Sequence, residues 1–486
     1  MRRETQLIAA LTILCALRLL AGELLPLSSD EAYYWLWSRH LAAGYYDHPP
    51  AVAFVIRAGT SLFGDTPFGL RVGGILLSFA ASWFIWRTAA ILLRSEKAGA
   101  LACLLFNLTL MAAVETMAAT PDAPSIAASA ALVWTLAKVA ETKDGRWWLA
   151  AGLAAGLGLL SKYSALFLGA GTLVWLIASP PMRRWLTSFW PYLGGAAALA
   201  IFSPNLWWNA GHDWATFVFQ FGRLGGEHFT LRYLAEFLGA QIVLASPFIL
   251  VLGVLGLSAA SRRDERRALI AAILWPCIIY FTWHSLHDRV QGNWPCFLYP
   301  LLAVAAADAM LRPDWTGWRA PLARWSARLA VPVAAVLLLA GYAQALIGVV
   351  PFGRKDPLAR LLAVGLTDVT GKVEKLRVAT GAAAILTTDY ATTGWFAFYA
   401  PSEAPVVDIG EDYRWPDAPP PAVKLLERPA LYVTEMRRDR HDLIAAHFGE
   451  VTEIARIDRE RAGVPIAHYV VYRVGSLKGS PPGRMP

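Results

Sequence analysis

The sequence predicts an all-α polytopic membrane bundle followed by a soluble α/β domain. Composition points there first: 56% of the 486 residues are hydrophobic and only 16% are charged, against roughly 25% charge in ordinary soluble domains. Mean hydropathy is +0.42 and there are 21 Trp. The second observation is a series of long apolar segments, and the third is a change of character after residue 350, where they stop.

A membrane-crossing helix needs about 20 mostly apolar residues, and about eleven segments qualify as candidate spans. They are 7–25, 70–93, 98–114, 123–140, 147–160, 165–178, 189–202, 234–257, 269–283, 297–311 and 329–350, with the fifth and sixth short and parted only by 161–164. The opening MRRE and apolar run imitate a secretory signal. No small-residue cleavage site closes it, so it reads as an uncleaved first span.

The net charge of +8 matters less than where the cations fall. Arg2/Arg3, Arg94/Lys97, Lys143/Arg146, Arg183/Arg184, Arg262/Arg263/Arg266/Arg267 and Arg312/Arg319/Arg324/Arg328 sit in alternate loops. The positive-inside rule makes those loops cytoplasmic and the others outward-facing. With the N-terminus inside, an odd number of spans puts the C-terminal domain outward too, on the same side as the first acidic loop. The basic balance is therefore a topology signal, and no basic, aromatic-interleaved patch calls for nucleic acid. Cys15, Cys103, Cys277 and Cys296 lie in or beside spans without a C-x-x-C pair. They read as buried small hydrophobes rather than disulfides or a zinc cluster.

Residues 1–350 are read as the bundle, 351–480 as the α/β domain and 481–486 (PPGRMP) as a disordered tail. Segments 384–388, 406–409, 430–434, 451–457 and 467–474 read as strands, with 437–448 an amphipathic helix between two of them.

The polar residues with chemical potential collect in the outward loops. Residues 28–50, SSDEAYYWLWSRHLAAGYYDHPP, carry Asp30, Glu31, Asp47 and His48 among aromatics. Aromatics belt membrane surfaces, so 30–40 reads as an interfacial helix. An acidic pair beyond a span is commonly just solvated. Partial desolvation near lipid, however, raises a carboxylate's pKa and suits Asp30 to act as a general base. Pro49 and Pro50 forbid a continuing helix. Asp47 is then either a cap for the next helix or an oxygen ligand for a divalent metal, and His48 a surface residue or a phosphate contact. Asp122, in TPDAP, follows Pro121 where Asp and Pro favour helix starts, yet it shares an outward face with Glu115. Lys162, in LLSKYS, is either a snorkelling anchor or a phosphate contact, with Tyr163 beside it. Arg223 and His228, in FGRLGGEHF, read as a solvated loop, or as a bidentate phosphate contact and a second metal ligand.

Taken in order, DEAYYWLWSRHLAAGYYDHPP, TPDAP, GLGLLSKYSALFL, LWWNAGHDWATFVFQ and GNWPCFLYP resemble the GT-C glycosyltransferases that use polyprenyl-phosphate sugars. More narrowly, they resemble the bacterial branch of the protein-mannosyltransferase superfamily, with its lipid A aminoarabinose transferases and rhizobial lipopolysaccharide galacturonic acid transferases. ILTTDYATTGWFAFYAP resembles that branch's periplasmic domain. The resemblance implies a GT-C bundle moving a sugar from a polyprenyl-phosphate donor to lipid A, lipopolysaccharide or another envelope hydroxyl. Asp30 would be the catalytic base and Asp122 the second-loop acid. His48 stands where the aminoarabinose transferases have Lys at the donor phosphate, and Asp47 where they have an acid that contacts metal. Lys162, Arg223 and His228 fall where relatives bring cations or a metal ligand to the donor, with Glu31 and Tyr163 in support. A divalent metal is admitted; no nucleotide or organic cofactor is expected. One base and back-side attack imply inversion at the sugar carbon. The other readings are a flippase for polyprenyl-linked substrates, which calls for a repeat the sequence lacks, a membrane sensor, which calls for a cytoplasmic module, and a protein O-glycosyltransferase of the same fold.

Overall fold

A computed structural model describes residues 2–222, 229–259 and 264–486 of the chain, without the side chains of residues 2–4 and 7. Packing divides it into two units: Met1–Gly22, His48–Val55 and Arg71–Gly341 form one, and Glu23–Asp47, Ile56–Leu70 and Tyr342–Pro486 the other. The sequence places that boundary near residue 350; by packing, the first polar loop groups with the C-terminal residues.

The first unit is helical. Among the described residues, four helices are long and apolar enough to cross a membrane: Pro67–Leu93, Asp122–Thr142, Glu265–His284 and Arg319–Ile347. Two bent pairs bring this to six, against the roughly eleven expected from the length rule. Local features interrupt two of the expected segments. The expected span 98–114 is cut by Thr109, whose side chain accepts from the Ala112 amide and starts a second helix. The expected span 234–257 turns at Ser246 because Pro247 opens a new helix and offers no N–H to continue the old one. Helix Asp122–Thr142 is the most enclosed, with Ile126, Leu136, Ala137 and Val139 fully buried in one large apolar core. Small residues let neighbours close in, as is common between membrane helices. A Cβ at Gly152 would lie 2.1 Å from the Gly194 carbonyl oxygen.

The second unit carries a five-stranded sheet in the order β2-β1-β3-β5-β4. The strands are β1 (Ile385–Thr387), β2 (Val406–Asp408), β3 (Ala430–Glu435), β4 (Phe448–Arg461) and β5 (Val464–Leu477). β1 runs parallel to β2 and β3, and β5 runs antiparallel to β3 and β4. All five expected strands are present. The expected helix 437–448 is a 3-10 turn, Met436–Arg438, and a short helix, His441–His447. Ala462 and Gly463 both take positive φ between β4 and β5, the signature of a tight hairpin whose twist matches its strands.

The last residues correct one expectation. The tail is tied down: Asp408 and Arg484 exchange backbone hydrogen bonds at 3.0 and 2.9 Å, and the Met485 amide donates to the Pro419 carbonyl at 3.1 Å. Backbone pairing on the edge strand β2 gives this polar segment order that its composition does not.

In the same unit, helix Ser29–Arg39 joins the sheet's core. Ala32 is fully buried with Leu366, Val369, Val373 and Phe396. Gly394 makes the approach possible, since a Cβ there would meet the Tyr33 nitrogen at 2.9 Å.

Candidate functional site

Helix Ser29–Arg39 begins with a capping box: the Ser28 hydroxyl accepts from the Glu31 amide, and the Glu31 carboxylate accepts from the Ser28 amide at 2.9 Å. This satisfies two otherwise orphaned N–H groups and gives Glu31, buried at 1% exposure, a structural task. Asp30 stands in the same first turn, where the helix dipole favours an anion. The Tyr390 hydroxyl donates to Asp30 Oδ1 at 3.0 Å. Tyr390 opens helix Tyr390–Tyr399, capped by Asp389.

Asp47 lies against Arg414, whose Nη1 is 2.9 and 2.7 Å from the two carboxylate oxygens. Arg414 Nε donates to Glu411 at 2.8 Å. The guanidinium lies 4.6 Å from the Tyr390 ring centre and 5.6–5.9 Å from those of Tyr413, Tyr33 and Tyr46. Cation and ring faces attract each other electrostatically. Burial holds the phenols of Tyr33, Tyr34 and Tyr390 well above their usual pKa, with Asp47 or Asp30 adding to it, so they remain neutral donors. Beneath this cluster, Asp408 accepts from the amides of Gly410 and Glu411 at 3.0 and 2.9 Å and from the Thr393 hydroxyl at 2.9 Å. It thereby shapes the turn that leads into Arg414. Burial pushes its carboxyl up to about 6 in spite of those donors.

A second group forms within the helical unit. Asp122 sits at the first position of its helix but does not cap it. Its Oδ1 accepts from Lys162 Nζ at 2.6 Å and from the Cys296 thiol at 2.9 Å, and its Oδ2 from Asn293 Nδ2 at 2.9 Å. The two charged side chains are 12% and 3% exposed for Lys162 and Asp122, so the pair is buried, as an unpaired charge could not be at low cost. His48 acts electrostatically on Asp122, and Glu115 on Lys162. The Tyr163 hydroxyl donates to Asn205 Oδ1 at 2.8 Å while its ring stacks on Phe217, which makes it a packing and positioning residue of the bundle.

The expected site residues thus fall into two groups: Asp30, Glu31 and Asp47 with Tyr390 and Arg414, and Asp122, Lys162 and His48 with Asn293 and Cys296. Arg223 and His228 lie outside the described residues. The metal expectation is corrected at Asp47, whose two oxygens are taken up by Arg414. Among the described residues no three His, Cys, Asp or Glu side chains converge to hold an ion. The donor set there suits a salt bridge and not a divalent cation. Sequence reasoning passed over Tyr390 and Asn293 as individuals and read Cys296 only as a buried small hydrophobe, although all three lie inside the resembling motifs ILTTDYATTGWFAFYAP and GNWPCFLYP. Arg414 carried no signal beyond a cation among aromatics.

Known proteins are similar to this chain in sequence and in fold. The family described as dolichyl-phosphate-mannose-protein mannosyltransferase matches residues 47–208. The lipid A galacturonosyltransferase RgtD of Rhizobium johnstonii is 29% identical over 278 residues, 56% of this chain and 58% of the relative. The lipopolysaccharide core galacturonosyltransferase RgtA of the same organism is 26% identical over 256 residues, 51% of this chain and 50% of that one. The chain therefore spans about half the length of the curated relatives it matches. The crystal structure of ArnT from Cupriavidus metallidurans bound to undecaprenyl phosphate superposes with a TM-score of 0.65 at 16% identity, over 98% of this chain and 99% of ArnT. At that identity the likeness is one of fold. The chain has the GT-C type of fold and resembles ArnT and RgtD.

Proposed function

We propose that the chain is a membrane glycosyltransferase that moves a sugar from a polyprenyl-phosphate donor to a hydroxyl of lipid A, lipopolysaccharide or a similar envelope glycolipid. The observation that carries the reading is Asp30, a carboxylate on a capped, rigid helix with one oxygen steadied by Tyr390. The names of the two Rhizobium relatives support a hexuronic acid as the sugar and lipid A or core lipopolysaccharide as the acceptor. The ligand in the ArnT structure supports an undecaprenyl-type carrier. The site would face the periplasm of a bacterial inner membrane, in keeping with the alternating cationic loops.

In this reading an Asp30 oxygen takes the proton from the acceptor hydroxyl as that oxygen attacks the anomeric carbon. The bond from that carbon to the phosphate oxygen breaks, its electron pair leaves with the polyprenyl phosphate, and the configuration inverts. A phosphate already leaves well, so the demand is for charge stabilisation rather than a general acid. Lys162 is suited to it: an ammonium has three N–H donors, of which Asp122 takes one. His48 and Arg223 are the further candidates. Positioned base catalysis is typically worth about 10²–10⁴ in rate.

The test compares envelope lipids by mass spectrometry in cells with the wild-type gene, with the gene deleted and with Asp30→Asn. A hexuronic acid increment present only with the wild type supports the reading. Unchanged glycolipids in the deletion strain refute a glycolipid acceptor and favour a protein acceptor, which the mannosyltransferase family match makes the second reading. Retention of the anomeric configuration in the product would rule out the direct displacement.

A further inference from the structure

A cavity of about 390 Å³ opens in the sheet-bearing unit, and neither Asp30, Tyr390 nor Arg414 lines it. Its wall carries Lys355, Arg360, Arg437, Arg438 and Arg459 against a single acid, Glu435. Two of these cations are compensated: Arg437 pairs with Glu435 at 2.5 Å, and Arg438 with Asp389 at 2.6 Å. Among the described residues, Lys355, Arg360 and Arg459 have no carboxylate within ion-pair distance.

Arg459 is the telling member. It is 2% exposed and stands on β4 where the register with β5 shifts, a place where bulges re-aim side chains. Its terminal nitrogens reach the Ala359 and Leu362 carbonyls only at 3.4 Å, and its buried Nε has no partner. The guanidinium lies 5.2 Å from the Trp395 ring centre. Burial pulls its pKa below the usual value; Tyr469 and Glu435 oppose this, and Arg360 and Arg437 add to it. Buried charges are normally paired, and a buried N–H without an acceptor carries a full desolvation penalty. Among the described residues, no carboxylate is in ion-pair contact with the Arg459 guanidinium, and Glu435, the one acid of the wall, is engaged by Arg437.

We infer that this cavity binds a phosphate group, held by Arg459 at its base and by Lys355 and Arg360 at its mouth. Three uncompensated cations match a doubly charged phosphate better than a single carboxylate, and guanidinium forks fit phosphate oxygens in pairs. The volume leaves room for whatever carries the phosphate. That carrier is either a phosphorylated lipid headgroup or nothing, in the case of free inorganic phosphate. The inference does not depend on the proposed transfer reaction.

The full chain in phosphatidylcholine nanodiscs is titrated with inorganic phosphate by calorimetry. In parallel, nanodiscs doped with phosphatidic acid are examined by native mass spectrometry for retained lipid. Lys355→Gln/Arg360→Gln changes two exposed side chains and carries the decision, because Arg459→Gln alters a buried one and is read only if its melting is unchanged. Each lost cation is expected to weaken binding roughly tenfold. Saturable binding of inorganic phosphate, weakened in the double variant, supports a free-anion site. Retention of phosphatidic acid without inorganic phosphate binding, again lost in the double variant, supports a headgroup site. Neither ligand binding, or binding indifferent to the double variant, overturns the inference.

Discussion

Arg414 grips Asp47 across 367 residues of sequence, with Nη1 2.9 and 2.7 Å from the two carboxylate oxygens. Both side chains are nearly buried, at 12% and 11% exposure. Removing one partner of such a pair leaves an uncompensated charge and costs about 3–5 kcal/mol. Arg414→Gln is therefore expected to lower the melting temperature by on the order of 10 °C, read by scanning fluorimetry in detergent. Arg414→Lys recovers only part of this, since an ammonium lacks the fork that serves Asp47 and Glu411 together. A wild-type melting curve in Arg414→Gln would mean the contact contributes nothing.

The Asp122–Lys162 pair separates stability from activity. Asp122→Asn or Lys162→Met alone strands a buried charge and is expected to cost about 3–5 kcal/mol. The double variant Asp122→Asn/Lys162→Met removes both charges and regains most of that loss, giving a coupling of at least ~2 kcal/mol in a double-mutant cycle of unfolding. Sugar transfer is not regained, because the donor phosphate has lost its cation. Transfer restored along with stability would reduce the pair to a structural role.

Asp30→Asn keeps an oxygen for the Tyr390 hydroxyl and leaves melting unchanged, while transfer from a polyprenyl-phosphate donor in vesicles falls by about 10²–10⁴. Tyr390→Phe removes one hydrogen bond to a charged group and is expected to cost roughly tenfold in rate. Equal losses in the two variants would assign the chemistry elsewhere.

Asp408 makes the sheet-bearing unit sensitive to pH. Its carboxyl rises from 3.8 to about 6 on folding, chiefly by burial. The folded state then holds the proton more tightly than the unfolded chain does. The stabilisation is fully present below about pH 3.8 and is lost as pH rises through about 6, a change of about 3 kcal/mol. Asp408→Asn is expected to flatten that part of the stability–pH profile, measured by thermal unfolding between pH 4 and 8. A profile unchanged by the substitution would exclude this group as its origin.

The elements of this fold were largely legible because their signals are local. Short β-rich runs at 406–409 and 430–434 gave strands that the structure has at Val406–Asp408 and Ala430–Glu435. Apolar length gave the helices, but length alone does not register a Thr109 cap or a Pro247 restart, so expected spans broke. Asp30 and Lys162 stood out as charges beside lipid. Their partners did not, because Tyr390 lies 360 residues from Asp30 and Cys296 174 residues from Asp122. Such pairings are fixed by tertiary packing, which no periodicity records.

Ala32 shares its core with Phe396 and Val471, so an early strip of this polypeptide has its apolar cover encoded near the other end. A ribosome adding about 5–20 residues per second needs tens of seconds to supply that cover. Throughout that interval the helix bearing Asp30 lacks the core residues it packs against. Bracing of the proposed base consequently waits until β5 has been made and docks, and a stop codon anywhere before that strand would leave Asp30 present without its full apolar cover.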